Sequence, residues 1–254
     1  THIIHAAATS NRDHFASFPT SSFENNIDST LQIFRLATQL GSIQNVLLVS
    51  SSLVYGKLPD EIESIKEDLS GRVSSSLDTN NIYAESKRAC ESVAAGFLTE
   101  MKLPISVARP FSLVGPYQSL ELPWAVTNFI QEALKGGPIK IMSDGSVVRS
   151  VMYASDFANW ILHMTAYAKP RSVYNVGSPE PTDLLSLAKV IKSYFKKEPQ
   201  ILTSLGNNSI GGDRKVVPNV DRAKNELQLK VTVNLETAIH RSLDWHTMMK
   251  GSNA

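Results

Sequence analysis

In NVLLVSSSLVYG, residues 45–56, valine and leucine run without polar alternation and then break into three serines. A strand with one face in water alternates apolar and polar residues; one that does not alternate is covered on both faces, as in a parallel sheet between helices. Its neighbours along the chain fit that setting. HIIHAAA, residues 2–8, reads as a buried strand running into a small-residue turn, and Pro104 marks the entry to ISVARP, a third strand. Between the first two, residues 22–40 place Ile27, Leu31, Phe34, Ala37 and Leu40 close to helical spacing, with Gly41 as the stop. A second helix is expected from Asn81 to Met101. Strands alternating with helices in this way predict an α/β domain with right-handed crossovers and a mostly parallel sheet flanked by helices.

After Gly115 the rhythm changes. AVTNFIQEALKGG, SDFANWILHMTAYA, LLSLAKVIKSYF and LETAIHRSLDWHTMM read as helices, IKIMSDG as a strand and turn, and SVYNVGS as a returning strand. The expected division is a dinucleotide-type domain over residues 1–115 and a smaller substrate lobe over 116–254, with some of its elements returning to the first domain.

Composition removes several classes of function. The 254 residues are 42% hydrophobic and carry a net charge of +1, enough apolar chain for a sizeable core and no field for a polyanion or an acidic membrane surface. Nucleic acid is not an expected partner. No apolar run reaches the roughly 18 residues needed to span a bilayer, and THIIHAAATS lacks the charged flank of a signal peptide. Cys90 is the only cysteine, so no intrachain disulfide is available and a reducing, cytoplasmic setting is expected. The histidines form no zinc-like pattern, and no metal is expected.

Ligands of an α/β sheet lie beyond the carboxyl ends of its strands, where Ser50, Ser51 and Ser52 fall. A serine triplet alone reads as a turn. YAESK, residues 83–87, places Tyr83 and Lys87 one helical turn apart, a spacing that alone fits packing and solvation. Taken in order on one strand and one helix, they fit hydride exchange at an alcohol carbon. A phenol moves the hydroxyl proton, a nearby ammonium favours the phenolate, and a seryl hydroxyl steadies the substrate oxygen.

HAAA, ENNIDSTLQ, VSSSLVYG, YAESK, ARPFSLVGP, DGSVVRSVMYASD, YNVGSPE and LETAIHRSLDW occur in that order. With this set the chain resembles the extended short-chain dehydrogenase/reductase family, in its nucleotide-sugar epimerase/dehydratase branch. The resemblance implies a Rossmann-like fold, NAD as cofactor with NADP as the alternative, a nucleotide-diphosphate sugar as substrate, and a homodimer formed through the helix of Tyr83 and the one before it. It implies Ser51, Tyr83 and Lys87 as catalytic residues, with Lys87 also bonding the nicotinamide ribose. Ala7, Ala8, Ser50, Pro110 and Phe111 match segments lining the dinucleotide. On the substrate side it implies Ser51, Ser52, Ser112, Arg149 and Arg214. Ser112 stands where many relatives have asparagine, and Arg149 by composition alone reads as a solvated arginine. Asn26 resembles the family's helix asparagine and equally fits an ordinary polar helix residue.

Two departures sharpen the expectation. No GxxGxxG precedes HIIHAAA, and against the family about 60 to 75 residues, two or three strand and helix units, are expected ahead of Thr1. Sugar-nucleotide 4,6-dehydratases carry an Asp-Glu pair after the catalytic hydroxyl, where this chain has Ser52 and Leu53, so elimination is disfavoured. The leading expectation is NAD(P)-dependent epimerisation of a nucleotide-activated sugar through a keto intermediate. A nucleotide-4-keto-sugar reductase and a catalytically inactive binding protein are the alternatives.

Overall fold

A computed structural model of the chain describes residues 1–71, 79–204 and 215–251. In chain order the first half contains β1 (His2–His5), α1 (Arg12–Ser17), α2 (Pro19–Leu40), β2 (Asn45–Val49), α3 (Ile82–Glu100), β3 (Ile105–Pro110) and β4 (Leu113–Val114). The second half contains α4 (Ala125–Leu134), β5 (Ile139–Ile141), β6 (Val148–Arg149), β7 (Met152–Tyr153), α5 (Ala154–Tyr167), β8 (Val173–Val176) and β9 (Thr182–Asp183). It continues through α6 (Leu184–Ser193), β10 (Ile201–Thr203), β11 (Lys215–Val216), α7 (Asp221–Leu227) and α8 (Leu235–Gly251).

The main sheet is parallel throughout, in the order β1-β2-β3-β8, with β8, at SVYNVGS, paired to β3. Both faces are covered, which is why β2 shows no alternation. Val46 and Leu48 of β2, with Ile105 and Val107 of β3, pack on Phe34 of α2 and on Cys90 and Ala94 of α3. On the other face Leu47, Ala108, Tyr174 and Val176 meet Trp160, Ile161 and Met164 of α5 and Ala223 and Leu227 of α7. This is the Rossmann-like arrangement of a parallel sheet between helices. A smaller lobe has its own core, in which Phe129 and Ile130 of α4, Ile139 and Ile141 of β5, Leu187 and Ile191 of α6, and Ile239 and Leu243 of α8 come together.

Polar residues are also buried inside this frame, and Asn45 is one that is paired. Asn45 is buried at the start of β2 and donates to Ser106 Oγ at 3.0 Å and to the carbonyl of Thr165 at 3.1 Å. Carbonyls in the last turn of a helix lack intrahelical donors, and Asn45 supplies one to the end of α5.

The long helices fall close to where periodicity places them. α2 starts at Pro19 rather than residue 22, because proline at the first helical position needs no N–H partner and has its φ preset. Gly41 ends it in the left-handed region, at φ 64. The short helices α1 and α7 were not anticipated, since one or two turns are too few to establish a period. Arg214 lies outside the described residues.

Candidate active site

β2 and α3 share one core, and that packing sets the carboxyl end of the strand against the first turns of the helix. Ser51 caps a 3-10 turn, Ser52–Tyr55, in extended conformation, its Oγ accepting the Leu53 N–H at 3.2 Å. The same residue acts on the Tyr83 phenol, opposing the rise in its pKa that burial causes. Lys87, one turn along α3, is 4% exposed and donates from Nζ to the Val49 carbonyl at 2.9 Å. The three residues chosen from the sequence therefore meet at one strand end.

Their electrostatics differ from the expectation in one respect. Burial is the largest influence on Tyr83 and raises its pKa above the ordinary 10.0; Ser51 acts in the opposite direction, and Cys90 adds to the rise. Lys87 has its own pKa lowered, first by burial, and it directs its ammonium to the end of β2. Ser51, rather than Lys87, is thus the group that eases ionisation of the phenol, and at neutral pH Tyr83 holds its proton. Phe15 of α1 closes over the phenol, the two rings 5.4 Å apart and nearly perpendicular.

Asn26 of α2 links the turn after β1 to the same helix. Its Oδ1 accepts from Thr9 N at 2.7 Å, and its Nδ2 donates to Thr9 O at 3.1 Å and to Ser86 Oγ at 3.0 Å. Ser86 in turn donates to the Tyr83 carbonyl at 2.8 Å. Ala7 is exposed and Ala8 half-buried, just before the Thr9 backbone that Asn26 ties to α3. Cys90 is a packed thiol against Thr30 and the Asn26 carbonyl, its pKa raised by burial.

Other anticipated residues fall into different settings. Ser50 is buried, its hydroxyl bonded to Glu91 at 2.6 Å and its N–H to the Ala108 carbonyl at 2.8 Å. Ser52 is half-buried at the start of the 3-10 turn. Pro110 ends β3, while the Phe111 ring is turned inward against Tyr55. Ser112 is exposed and its carbonyl accepts from Met152 N, which brings it to the segment just after Arg149. Arg149 is half-buried in the three-stranded sheet of β11, β6 and β9 and donates to the Val148 carbonyl. Sequence reading missed Glu91 and Arg109, which bond at 2.7 and 3.0 Å behind the strand ends; the one signal for the first was its place one turn beyond Lys87.

His5, at the end of β1, is buried with Nε2 3.0 Å from Thr30 Oγ1. Burial and then the Lys87 charge lower its pKa below 6.5. Below that value the unfolded chain binds a proton that the folded chain resists, so stability falls as pH falls. Melting temperature is expected to drop between pH 7 and pH 5, with a shallower slope in His5→Gln. An unchanged slope in that variant would remove His5 as the cause.

Among the described residues no helix is long and apolar enough to cross a membrane, and no group of acidic, histidine or cysteine side chains is arranged to hold a metal ion. The chain is 27% identical over 242 residues to UDP-glucuronic acid decarboxylase 1 of Arabidopsis thaliana, covering 94% of this chain and 53% of that protein. It is 26% identical to UDP-glucuronic acid decarboxylase 1 of Danio rerio, covering 96% of this chain and 56% of that protein. The chain thus spans little more than half the length of these curated relatives. Among solved structures, UDP-glucose 4-epimerase of Thermotoga maritima with UDP-glucose superimposes with a TM-score of 0.82 at 21% identity, covering 97% of this chain and 77% of that one. Pal from Bacillus thuringiensis gives 0.82 at 25% identity, covering 97% and 75%. A profile of the NAD dependent epimerase/dehydratase family matches residues 1–177, the span that contains the whole Ser51, Tyr83 and Lys87 cluster. With that match over more than half its length, the chain belongs to the NAD dependent epimerase/dehydratase family.

Proposed function

We propose that the protein takes part in NAD(P)-dependent epimerisation of a nucleotide-activated sugar through a keto intermediate. The observation that carries this reading is the gathering of Ser51, Tyr83 and the buried Lys87, whose ammonium donates to the Val49 carbonyl, at the carboxyl ends of parallel strands. A buried ammonium, a phenol and a hydroxyl at one strand end suit the ribose and nicotinamide half of a dinucleotide. In this reading residues 1–115 contribute the cofactor side and 116–254 mainly the sugar-nucleotide side.

A bound nicotinamide supplies the hydride acceptor and donor. Tyr83 takes the sugar hydroxyl proton through its phenolic oxygen and returns it at the end, and Ser51 holds the substrate oxygen as its charge changes. Lys87 binds ribose hydroxyls and keeps the strand end in place. Ser112 and Arg149 are assigned to the sugar nucleotide, with the Arg149 guanidinium suited to phosphate oxygens, and Arg214 is assigned there by its match alone.

The raised pKa of Tyr83 favours a second reading. A phenol that holds its proton at neutral pH is set to donate it to a keto sugar, the direction of a reductase. The likeness to the decarboxylases adds a sugar acid to the candidates, because oxidation beside such a carboxylate gives a β-keto acid that loses carbon dioxide.

One experiment separates these outcomes. The protein is incubated with NAD or NADH and with UDP-glucose, UDP-galactose, UDP-glucuronic acid or a UDP-4-keto sugar, and products are followed by NMR. Interconversion of 4-epimers without net change in cofactor supports epimerisation. Stoichiometric NADH consumption with a 4-keto sugar supports reduction, and pentose formation with carbon dioxide supports decarboxylation. No conversion and no cofactor binding would sink the enzyme reading in favour of an inactive binding protein. In whichever reaction is found, Ser51→Ala is expected to lower kcat by about 10²-fold with the fold retained, checked by steady-state kinetics beside circular dichroism.

Pairing of two copies through α2 and α3 belongs to the same proposal. It is supported by Leu36 and Leu40, each at least half exposed on α2, and is tested by sedimentation equilibrium. A cytoplasmic setting is supported by the lone buried thiol.

A further inference from the structure

Behind the candidate site, one carboxylate joins the elements that carry it. Glu91 lies on α3 one turn past Lys87 and two past Tyr83, on the same side of the helix. Its Oε1 accepts from Ser50 Oγ at 2.6 Å and from Arg109 Nε at 3.0 Å, and its Oε2 accepts from Arg109 Nη2 at 2.7 Å. Both side chains are mostly buried, 16% and 14% exposed. Arg109 reaches from β3, donates through Nη1 to the Glu67 carbonyl at 3.0 Å, and lies 4.8 Å over the Tyr55 ring. Tyr55 is tied to β8 through Asn175 at 2.6 Å.

Ser50 is the residue before Ser51. Its N–H is fixed to the Ala108 carbonyl at 2.8 Å, so with its hydroxyl held by Glu91 the start of the turn is pinned on two sides. We propose that Glu91 is a positioning residue for the site, holding Ser50 so that Ser51 is presented to Tyr83. The idea rests on the proposed function only for its kinetic readout. The geometry requires a full carboxylate. Three donors converge on two oxygens, and glutamine, with one acceptor oxygen and an NH₂ facing a guanidinium, cannot serve them all. Burial opposes the charge of Arg109, and Glu91 more than offsets it, holding the guanidinium above its ordinary range. Burial lowers the pKa of Lys87, while Cys90 and then Glu91 act the other way.

Two variants separate positioning from plain stability. Ser50→Ala removes the hydroxyl link and leaves the Glu91 to Arg109 pair whole; Glu91→Gln weakens both. Each is expected to lower kcat by about tenfold to a hundredfold, the penalty for displacing a reacting group by about 1 Å, with KM within about twofold. Only Glu91→Gln is expected to lower the melting temperature appreciably. A second readout needs no turnover. The Tyr83 titration, isolated as the ultraviolet difference between each protein and its Tyr83→Phe counterpart, is expected to move upward in both variants, in the direction set by Ser51→Ala.

In Ser51→Ala the Ser50 and Glu91 changes are expected to add little, since their effect passes through Ser51. If the wild type turns over no sugar nucleotide but the titrations move as stated, the positioning holds and the activity reading fails. Unchanged Tyr83 titration in folded Ser50→Ala and Glu91→Gln would overturn the proposal, whatever the melting temperatures.

Discussion

Tyr83→Phe is expected to reduce turnover by about 10²- to 10⁴-fold, the range for removing a positioned general acid or base. The fold should survive it. The ring keeps its contact with Phe15, and the loss of one hydroxyl is expected to change stability by about 1 kcal/mol or less. Activity and stability therefore part company in this variant, which a packing role for Tyr83 would not produce. The pH profile gives a second check. Because burial lifts the phenol above 10.0, the oxidising direction should speed up with rising pH across the neutral and mildly alkaline range, and the reducing direction should hold a plateau there. Both features should vanish from the residual rate of Tyr83→Phe. Residual turnover above one-tenth of wild type would argue that another group moves the proton.

The largest stability effect is expected at Asp156. This buried carboxylate, in the first turn of α5, accepts from the backbone N–H groups of Thr232 and Val233 at 2.9 and 3.0 Å and from the Thr232 hydroxyl at 2.5 Å. It fastens the helix lying on the main sheet to the segment that leads into α8 of the smaller lobe. Its place in the first turn also suits the positive end of the helix dipole. Asp156→Ala leaves three donors without their acceptor and is expected to cost about 3 kcal/mol. For a chain of this size that is a fall of roughly 6–12 °C in melting temperature. Asp156→Asn, which keeps one acceptor oxygen, should fall between. Urea denaturation placing Asp156→Ala within 1 kcal/mol of wild type would show that water takes over the three donors.

The two residues illustrate different kinds of legibility. Tyr83 and Lys87 lie at a spacing that a helix makes one turn, and Ser51 follows an apolar run that ends at a sheet edge, but it is their order within the family's motif set that makes them visible as a site. Asp156 sits in a quoted stretch, YASD, yet nothing local says that its partners are 76 and 77 residues away. Asn26 is similar. As a polar residue on α2 it has two equal readings until Thr9 and Ser86 are seen around it.

The sequence by itself determined the α/β class, the parallel sheet and the long helices. Each follows from local chain chemistry: apolar runs, helical periods, and glycine or proline punctuation. Ser51, Tyr83 and Lys87 are picked out by the ordered motifs of the family resemblance, and the packing of β2 on α3 brings them together. Only the tertiary structure decided how the site is held and charged. It made the Tyr83 phenol answer to burial and Ser51 rather than to Lys87, and it turned the Phe111 ring inward. It also brought Ser50, Glu91 and Arg109 together across 41 and 18 residues of chain. A buried polar group must find a partner, but which partner depends on where separate strands and helices cross, and no period or spacing records that.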